Sequence, residues 1–219
     1  MTDLIIVGAG EHGRMMFNFF KESTDYNVIS FAVEEKYYNW DIIEGIPVIT
    51  VERLIKDYKP EDIQLFVAIT FNNMNRERKR LYEYLNKYGF SFVSYIHPSS
   101  IVDKTVKIGE NVVIMENNVV QYNVSIGNNV VVQAGGVIAH STKIEDDVWI
   151  APCSSIAGFV NIGQGSFIGI NSTICNNLEI APKTIIGGGS VIHKTIAEEG
   201  VYVGNPFRKI KDSSEGYFS

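Results

Sequence analysis

Cysteine is scarce, proline is sparse, and no hydrophobic run approaches the length of a bilayer. The 219 residues include two cysteines and six prolines. Cys153 and Cys175 stand in no metal-ligand spacing and read as small buried hydrophobes. No basic stretch followed by an apolar one opens the chain, and nothing is long enough to span a membrane, so a cytoplasmic address is expected. Positive charge is short as well: 19 Lys and Arg stand against 25 Asp and Glu, a net charge of −6. That balance argues against non-specific nucleic-acid binding. With 45% apolar and 20% charged residues, the chain has room for one large or two modest globular domains.

What is present follows two different patterns. Every sixth residue from Ile96 to Ile192 is isoleucine or valine, without a miss. Six is not a helical period, and it is not plain alternation. It marks a parallel β-helix whose short strands each bury one aliphatic side chain. Three hexads make one triangular coil. The residue after each aliphatic is often Gly, Ala or Cys, and the residue four after it is often small or apolar, as at Val112, Val130, Ser154 and Ser172. Asn117, Asn118, Asn128, Asn129, Asn176 and Asn177 suit tight corners that need left-handed backbone angles. The register fails at Glu198, so Val201–Ser219 is expected to leave the column and cap it.

Residues 1–95 have no such period. Leu4–Val7, Val28–Val33, Ile63–Ile69 and Phe90–Tyr95 read as strands. Thr50 reads as the N-cap of a helix over Val51–Tyr58, and Asn73–Tyr88 reads as an amphipathic helix. Strands alternating with helices predict a parallel sheet of Rossmann-like α/β type. The expected division is therefore a Rossmann-like domain over 1–95 and a β-helix with its cap over 96–219.

Gly8-Ala9-Gly10-Glu11-His12-Gly13 follows the first strand and opens the first helix, the context that a phosphate-binding loop requires. Glu34 and Glu35 end the second strand, where a dinucleotide fingerprint places its acidic residue. His12 either touches a phosphate or sugar or is a solvated residue at the helix start. Asn72 and Asn73 are placed to line the same crevice, and Arg76 reads as part of a solvated face. Of the four histidines, His97 reads as a turn residue and His193 as a cap. His140 falls on a corner in the middle of the repeat, in the context Ala139-His140-Ser141-Thr142.

Together the Leu4–Gly13 loop, the His140 hexad, Gly187-Gly188-Gly189 and Val203-Gly204-Asn205-Pro206 make the chain resemble the sialic acid O-acetyltransferase family, over nearly its whole length. That family includes N-acetyltransferases of nucleotide-linked 4-amino-4,6-dideoxysugars of the bacillosamine and perosamine type. The resemblance implies a left-handed β-helix, a homotrimer, acetyl-CoA as co-substrate and no metal. It implies an acyl-CoA-dependent N-acyltransferase for surface-glycan assembly, with O-acetylation of a sialic-acid-like sugar, or a non-catalytic sugar-binding relative, as alternatives. It makes His140 the catalytic residue, and the N–H of Gly158, eighteen residues on, the oxyanion donor. Gly158, Ile170 and Gly188 would line the acyl-CoA groove, with Asn205 in the terminal signature near it. Arg208 and Lys209 either meet the CoA 3′-phosphate or belong to a solvated tail, to which Lys211 is assigned. The nucleotide sugar would sit on Gly8, Gly10, Glu11, His12, Gly13, Glu34, Glu35 and Asn72. In the family the histidine has acidic neighbours, and here both are absent. Its orienting partner is then Ser141, a backbone carbonyl, or Glu145–Asp147 from the following turn or a neighbouring subunit. The weakened context favours an amine, already a good nucleophile, over a hydroxyl acceptor.

Overall fold

The structure is a computed structural model that describes residues 2–218, and it resolves into two compact units. Of the described residues, the first holds 2–70 and 77–94, and the second holds 71–76 and 95–218.

In the first unit the near-continuous apolar run of β1 (Thr2–Val7) is buried from Leu4 onward and forms the centre of a sheet. It pairs in parallel with β2 (Tyr26–Val33) on one side and β5 (Ile63–Val67) on the other. β4 (Ile46–Thr50) adds to β2 in parallel, and β3 (Ile42–Ile43) pairs with β4 antiparallel. The β3–β4 hairpin has no counterpart among the expected strands. Its signal is Glu44-Gly45, whose φ values of 52° and 80° turn the chain in the two-residue manner that matches strand twist. α1 (Glu11–Ser23) and α2 (Val51–Asp57) supply the crossovers, and the Thr50 hydroxyl caps α2 by accepting from the Arg53 N–H at 3.2 Å. Phe90–Tyr95 is not a strand. Phe92 makes only an isolated bridge to Leu65, and Tyr95–Ile96 already belongs to the column.

The expected helix over Asn73–Tyr88 begins later, as α3 (Arg76–Lys87). Asn73, Met74 and Asn75 each have a positive φ, 51°, 56° and 59°, which a right-handed helix cannot accept. Met74 is buried with Ile185 and Val201, and Asn75 donates to the Asp147 carbonyl at 2.7 Å.

The second unit is a three-sided parallel β-helix. One face stacks Val102, Val120, Ile138, Ile156, Ile174 and Ile192; the next stacks Ile108, Ile126, Ile144, Ile162 and Ile180; the third stacks Ile96, Ile114, Val132, Ile150, Ile168 and Ile186. Each strand is two residues long and its second residue points inward. From Ile114 to Ile192 these side chains form one continuous apolar core. Each fully buried aliphatic stabilises by about 1.5–3 kcal/mol. Buried hydroxyls beside them bond to the next coil, as Ser154 does to the Gly169 carbonyl at 3.1 Å and Thr142 to the Ala157 carbonyl at 2.9 Å.

The corners account for the composition. Every sixth residue from Asn111 to Gly189 has a positive φ, between 54° and 79°. Ten of these positions carry Asn, Asp or Gly, which tolerate it; Ser141, Cys153, Phe159 and Lys183 do not fit that preference. A side chain without local hydrogen bonding there costs about 1–2 kcal/mol. Cys153 is accordingly exposed at its corner, against the expectation of a buried hydrophobe, and Cys175 is half-buried beside the core.

The column does not end at Ile192. Ile196 bridges in parallel to Ile180 and Tyr202 pairs with Ile186, each sixteen residues on rather than eighteen. The register therefore resumes after a corner two residues shorter, and Val201–Gly204 continues the third face. Phe207–Lys211 folds back antiparallel to it and closes the edge.

Candidate active site

The glycine loop lies where β1 ends between β2 and β5, the point at which such sheets bind ligands outside their strand ends. The Gly8 N–H donates to the Ala32 carbonyl at 2.8 Å, and its φ is 114°. A β-carbon on Gly8 would meet the Ala68 carbonyl oxygen at 2.9 Å, and one on Gly13 would meet the Gly8 oxygen at 2.0 Å. These two glycines are sterically required. Around Gly10 nothing lies within 4 Å, so this glycine leaves its side of the loop open. Gly10 is also the N-cap of α1, with no side chain capping it, so the first amides of the helix carry their positive dipole end beside open space.

His12 points inward rather than to solvent and is 8% exposed. Burial, and secondarily the charge of Arg78, lowers its pKa from 6.5 to about 3, so the ring is neutral. Arg78 on α3 is itself fully buried and donates to the carbonyls of Val67 and Ile69 at the end of β5. Glu34 is held by the Arg80 guanidinium at 2.8 Å, while Glu35 begins a short 3-10 turn and is exposed. Gly8, Gly10, Glu11, Gly13, Glu34 and Glu35 thus share one unit. Asn72 is exposed and belongs to the 71–76 segment of the other unit. Nothing in the sequence marks Arg78 or Arg80: a basic residue on a charged helix looks solvated until its partner is seen.

On the column, His140 occupies a corner between the first and second faces, one coil before Gly158. The His140 backbone N–H donates to Gln121 Oε1 at 3.1 Å, and the equivalent Gln164 N–H donates to Glu145 Oε2 at 3.1 Å. In both pairs the acceptor side chain lies nineteen residues earlier. For Gly158 the corresponding residue is Ala139, which has no acceptor, and no other acceptor among the described residues takes the Gly158 N–H. The imidazole of His140 is exposed and packs onto this glycine: a β-carbon at residue 158 would stand 2.6 Å from Cε1 and 2.9 Å from Nε2. The Phe159 ring meets the imidazole edge-on, with centroids 5.1 Å apart and planes at 81°.

Neither imidazole nitrogen has a hydrogen-bond partner among the described residues. Within the chain, Glu145 and Asp147 cannot supply one. They occupy the next corner, where Glu145 accepts from Lys143 and the Gln164 N–H, and Asp147 accepts from Asn129 and Gln164. The Lys143 hydrogen bond holds the Glu145 carboxyl below its ordinary pKa despite some burial.

Ile170 and Gly188 stack on a different corner, between the third and first faces. A β-carbon at Gly188 would lie 3.0 Å from Ile170 Cγ2. The Gly204 N–H donates to Ser190 Oγ at 3.0 Å, which ties the Gly204-Asn205-Pro206 turn to this same corner. Lys209 pairs with Asp212 and Glu198, and Lys211 donates to the Glu215 carbonyl. Arg208 is exposed and makes no ion pair among the described residues. Arg76, expected on a solvated face, pairs with Glu215 at 3.0 Å. Beside the corner an apolar cavity of about 340 Å³ is lined by Phe71, Trp149, Phe167, Ile170, Gly188 and Phe218. Among the described residues no group of three or more His, Cys, Asp or Glu side chains could hold a metal ion. No helix among them is long and apolar enough to cross a membrane.

Comparison with known proteins fits this layout. Residues 3–85 match the PglD N-terminal domain, and residues 105–140 match the bacterial transferase hexapeptide (six repeats). The chain is 31% identical over 120 residues to UDP-N-acetylbacillosamine N-acetyltransferase of Bacillus subtilis (strain 168); the match spans about half of each protein, 52%. The acetyltransferase domain of PglB from Neisseria gonorrhoeae FA1090 superposes with a TM-score of 0.85 at 25% identity, covering 96% of this chain and 100% of that one. A mutant of perosamine N-acetyltransferase from Caulobacter crescentus, solved with CoA and GDP-perosamine, gives 0.85 at 24% identity over 97% and 98% of the two chains. The chain is built as a PglD-type N-terminal domain followed by a left-handed hexapeptide β-helix, the fold it shares with the PglB acetyltransferase domain and with perosamine N-acetyltransferase of Caulobacter crescentus.

Proposed function

We propose that this chain is an acyl-CoA-dependent N-acyltransferase that moves an acetyl group from acetyl-CoA to the amino group of a nucleotide-linked amino-dideoxysugar, in the cytoplasm, as a homotrimer serving surface-glycan assembly. The observation that carries the reading is the His140–Gly158 corner: an exposed imidazole resting on a glycine whose N–H is unclaimed. In the reaction the sugar amine attacks the thioester carbonyl carbon. A nitrogen–carbon bond forms, the carbon–sulfur bond breaks, and CoA leaves as its thiol. His140 accepts the proton that the amine loses and can return it to the departing sulfur. The Gly158 N–H donates to the oxyanion of the tetrahedral intermediate, where a preorganised donor acts without reorganisation.

The glycine loop and helix start of the first unit suit a nucleotide diphosphate, and Glu34 and Glu35 suit its base. Ile170, Gly188, Asn205 and Arg208 suit the CoA arm and its 3′-phosphate. They stand on a different corner from His140, and the two corners border the same face of the column. A trimer answers this separation, because one copy's His140 corner can then meet another copy's Ile170 corner.

The test is thiol release from acetyl-CoA with UDP-, dTDP- and GDP-linked 4-amino sugars, using the full chain and its His140→Ala and His140→Asn variants. One nucleotide sugar should turn over, and both variants should lose at least about a hundredfold in kcat. An unchanged rate in the variants would remove His140 from the chemistry, and no turnover with any acceptor would remove the activity. Sedimentation of the full chain should give three copies.

A further inference from the structure

We infer that Phe159 is an acceptor-recognition residue: its ring forms the wall against which the deoxygenated, methyl-bearing side of the amino sugar packs while the amine faces His140. This rests on the N-acyltransferase reading and extends it to the part of the sugar that does not react.

The observations are local and independent of that reading. Phe159 has a φ of 58°, at a corner register held by Asn, Asp or Gly at ten of its positions. A bulky aromatic there works against the backbone, and such outliers persist where something other than folding selects them. The side chain gains little from the fold in return, since it is 58% exposed. It stands beside the unclaimed Gly158 N–H and edge-on to the imidazole at 5.1 Å. One coil before His140, on the same column of corner residues, Tyr122 is 61% exposed. An exposed imidazole with one aromatic ring edge-on to it, and a second exposed aromatic one coil before it on the same corner, offers apolar surface around a polar centre. A hexose offers a C–H-rich side to such a surface, and replacing its 6-hydroxyl by hydrogen enlarges that side with a methyl group. A hydroxyl at that carbon would lose water against the ring without gaining a partner.

The test variant is Phe159→Asn, because asparagine fills the same register at Asn123 and Asn177 with φ of 57° and 59°. The variant should therefore fold, with an unchanged or higher Tm and unchanged sedimentation. Two readouts on the full chain decide the matter. In steady-state kinetics, KM for the amino sugar should rise about tenfold while KM for acetyl-CoA stays the same. The preference for a 6-deoxy over a 6-hydroxy acceptor should fall by about the same factor, within the range one methyl-sized contact supplies. Phe159→Tyr should keep both values. In saturation-transfer NMR without acetyl-CoA, the sugar C6 methyl should be strongly saturated in the native chain, and clearly less so, relative to the base protons of the same ligand, in Phe159→Asn.

Unchanged KM and preference in Phe159→Asn overturn the assignment, and so does a change in oligomeric state, which would mean that the ring packs between copies. Methyl saturation without turnover by the native chain would retain the wall and reject the acyl transfer. Turnover that ignores Phe159→Asn would do the reverse. Absence of both methyl saturation and turnover in the native chain rejects both.

Discussion

The imidazole of His140 lies over the α-carbon of Gly158, so close that a β-carbon there would stand 2.6 Å from Cε1. Nothing in the backbone demands glycine at this position, since its φ is not among the positive ones. What demands it is the ring above. Gly158→Ala should therefore leave the fold intact, with stability within about 0.5 kcal/mol, because the group that must move is an exposed side chain. Activity should fall by roughly a hundredfold, the cost of displacing a reacting group by about 1 Å. Thermal unfolding and thiol release on the same preparation check both halves; retained turnover would detach the glycine from the chemistry.

Cys153 is the simplest case of a corner residue in the wrong backbone region. It has a φ of 59° and an exposed side chain, and its thiol makes no disulfide. Cys153→Asn should stabilise the column by about 0.5–1 kcal/mol, since asparagine tolerates the left-handed region. A rise in the melting midpoint of the β-helix would show this. A fall would mean that the cysteine holds a contact between copies of the chain.

The column was legible in the sequence because its rule is local and repeated: one aliphatic every six residues fixes the period, the faces and the inward row at once. What escaped were the places where the rule bends. The short corner between Ile192 and Ile196 deletes two residues and hides the last coil, since nothing in Glu198 signals that the register has only shifted. Cys153 fits a small-residue reading equally well buried or exposed. In the first unit, Gly8 and Gly13 declare their steric roles, while Arg78 and Arg80 do not, because their partners are carbonyls and a carboxylate brought near only by the sheet. Among the residues that escaped, Phe159 carries a local signal. Counting in sixes from Asn129 puts an aromatic where Asn or Gly belongs.

Two isoleucines separate the structural and binding roles of the column. Ile156 is 1% exposed in the continuous core, so Ile156→Ala should cost about 2–5 kcal/mol through lost burial and the cavity left behind. Ile170 is 56% exposed on the corner above Gly188. Ile170→Ala should change stability by less than about 0.5 kcal/mol. If the acyl-CoA arm runs along this corner, KM for acetyl-CoA should rise three- to tenfold, the loss of roughly 1 kcal/mol of aliphatic contact. Denaturant unfolding distinguishes the first effect and initial-rate kinetics the second. An unaltered KM would take the CoA arm away from Ile170.

His12 gives the first unit a pH dependence of definite sign. Buried at 8% exposure, its ring titrates near 3 in the folded chain, against 6.5 when unfolded, because burial and then the Arg78 charge oppose protonation. Between those values the unfolded chain binds a proton that the folded one does not. Its contribution to stability is therefore complete above pH 6.5 and is lost as the pH falls towards 3. Between about pH 7 and pH 5 the loss should be about 2 kcal/mol. Amide hydrogen exchange resolves this by unit: protection of β1, β2 and β5 should decline over that range relative to the column. His12→Gln removes the titrating group, so its protection should fall less steeply with acid, whatever its absolute stability. Equal slopes in the two proteins would mean that His12 is charged where it lies, and that the site beneath the glycine loop is wetter than its packing shows.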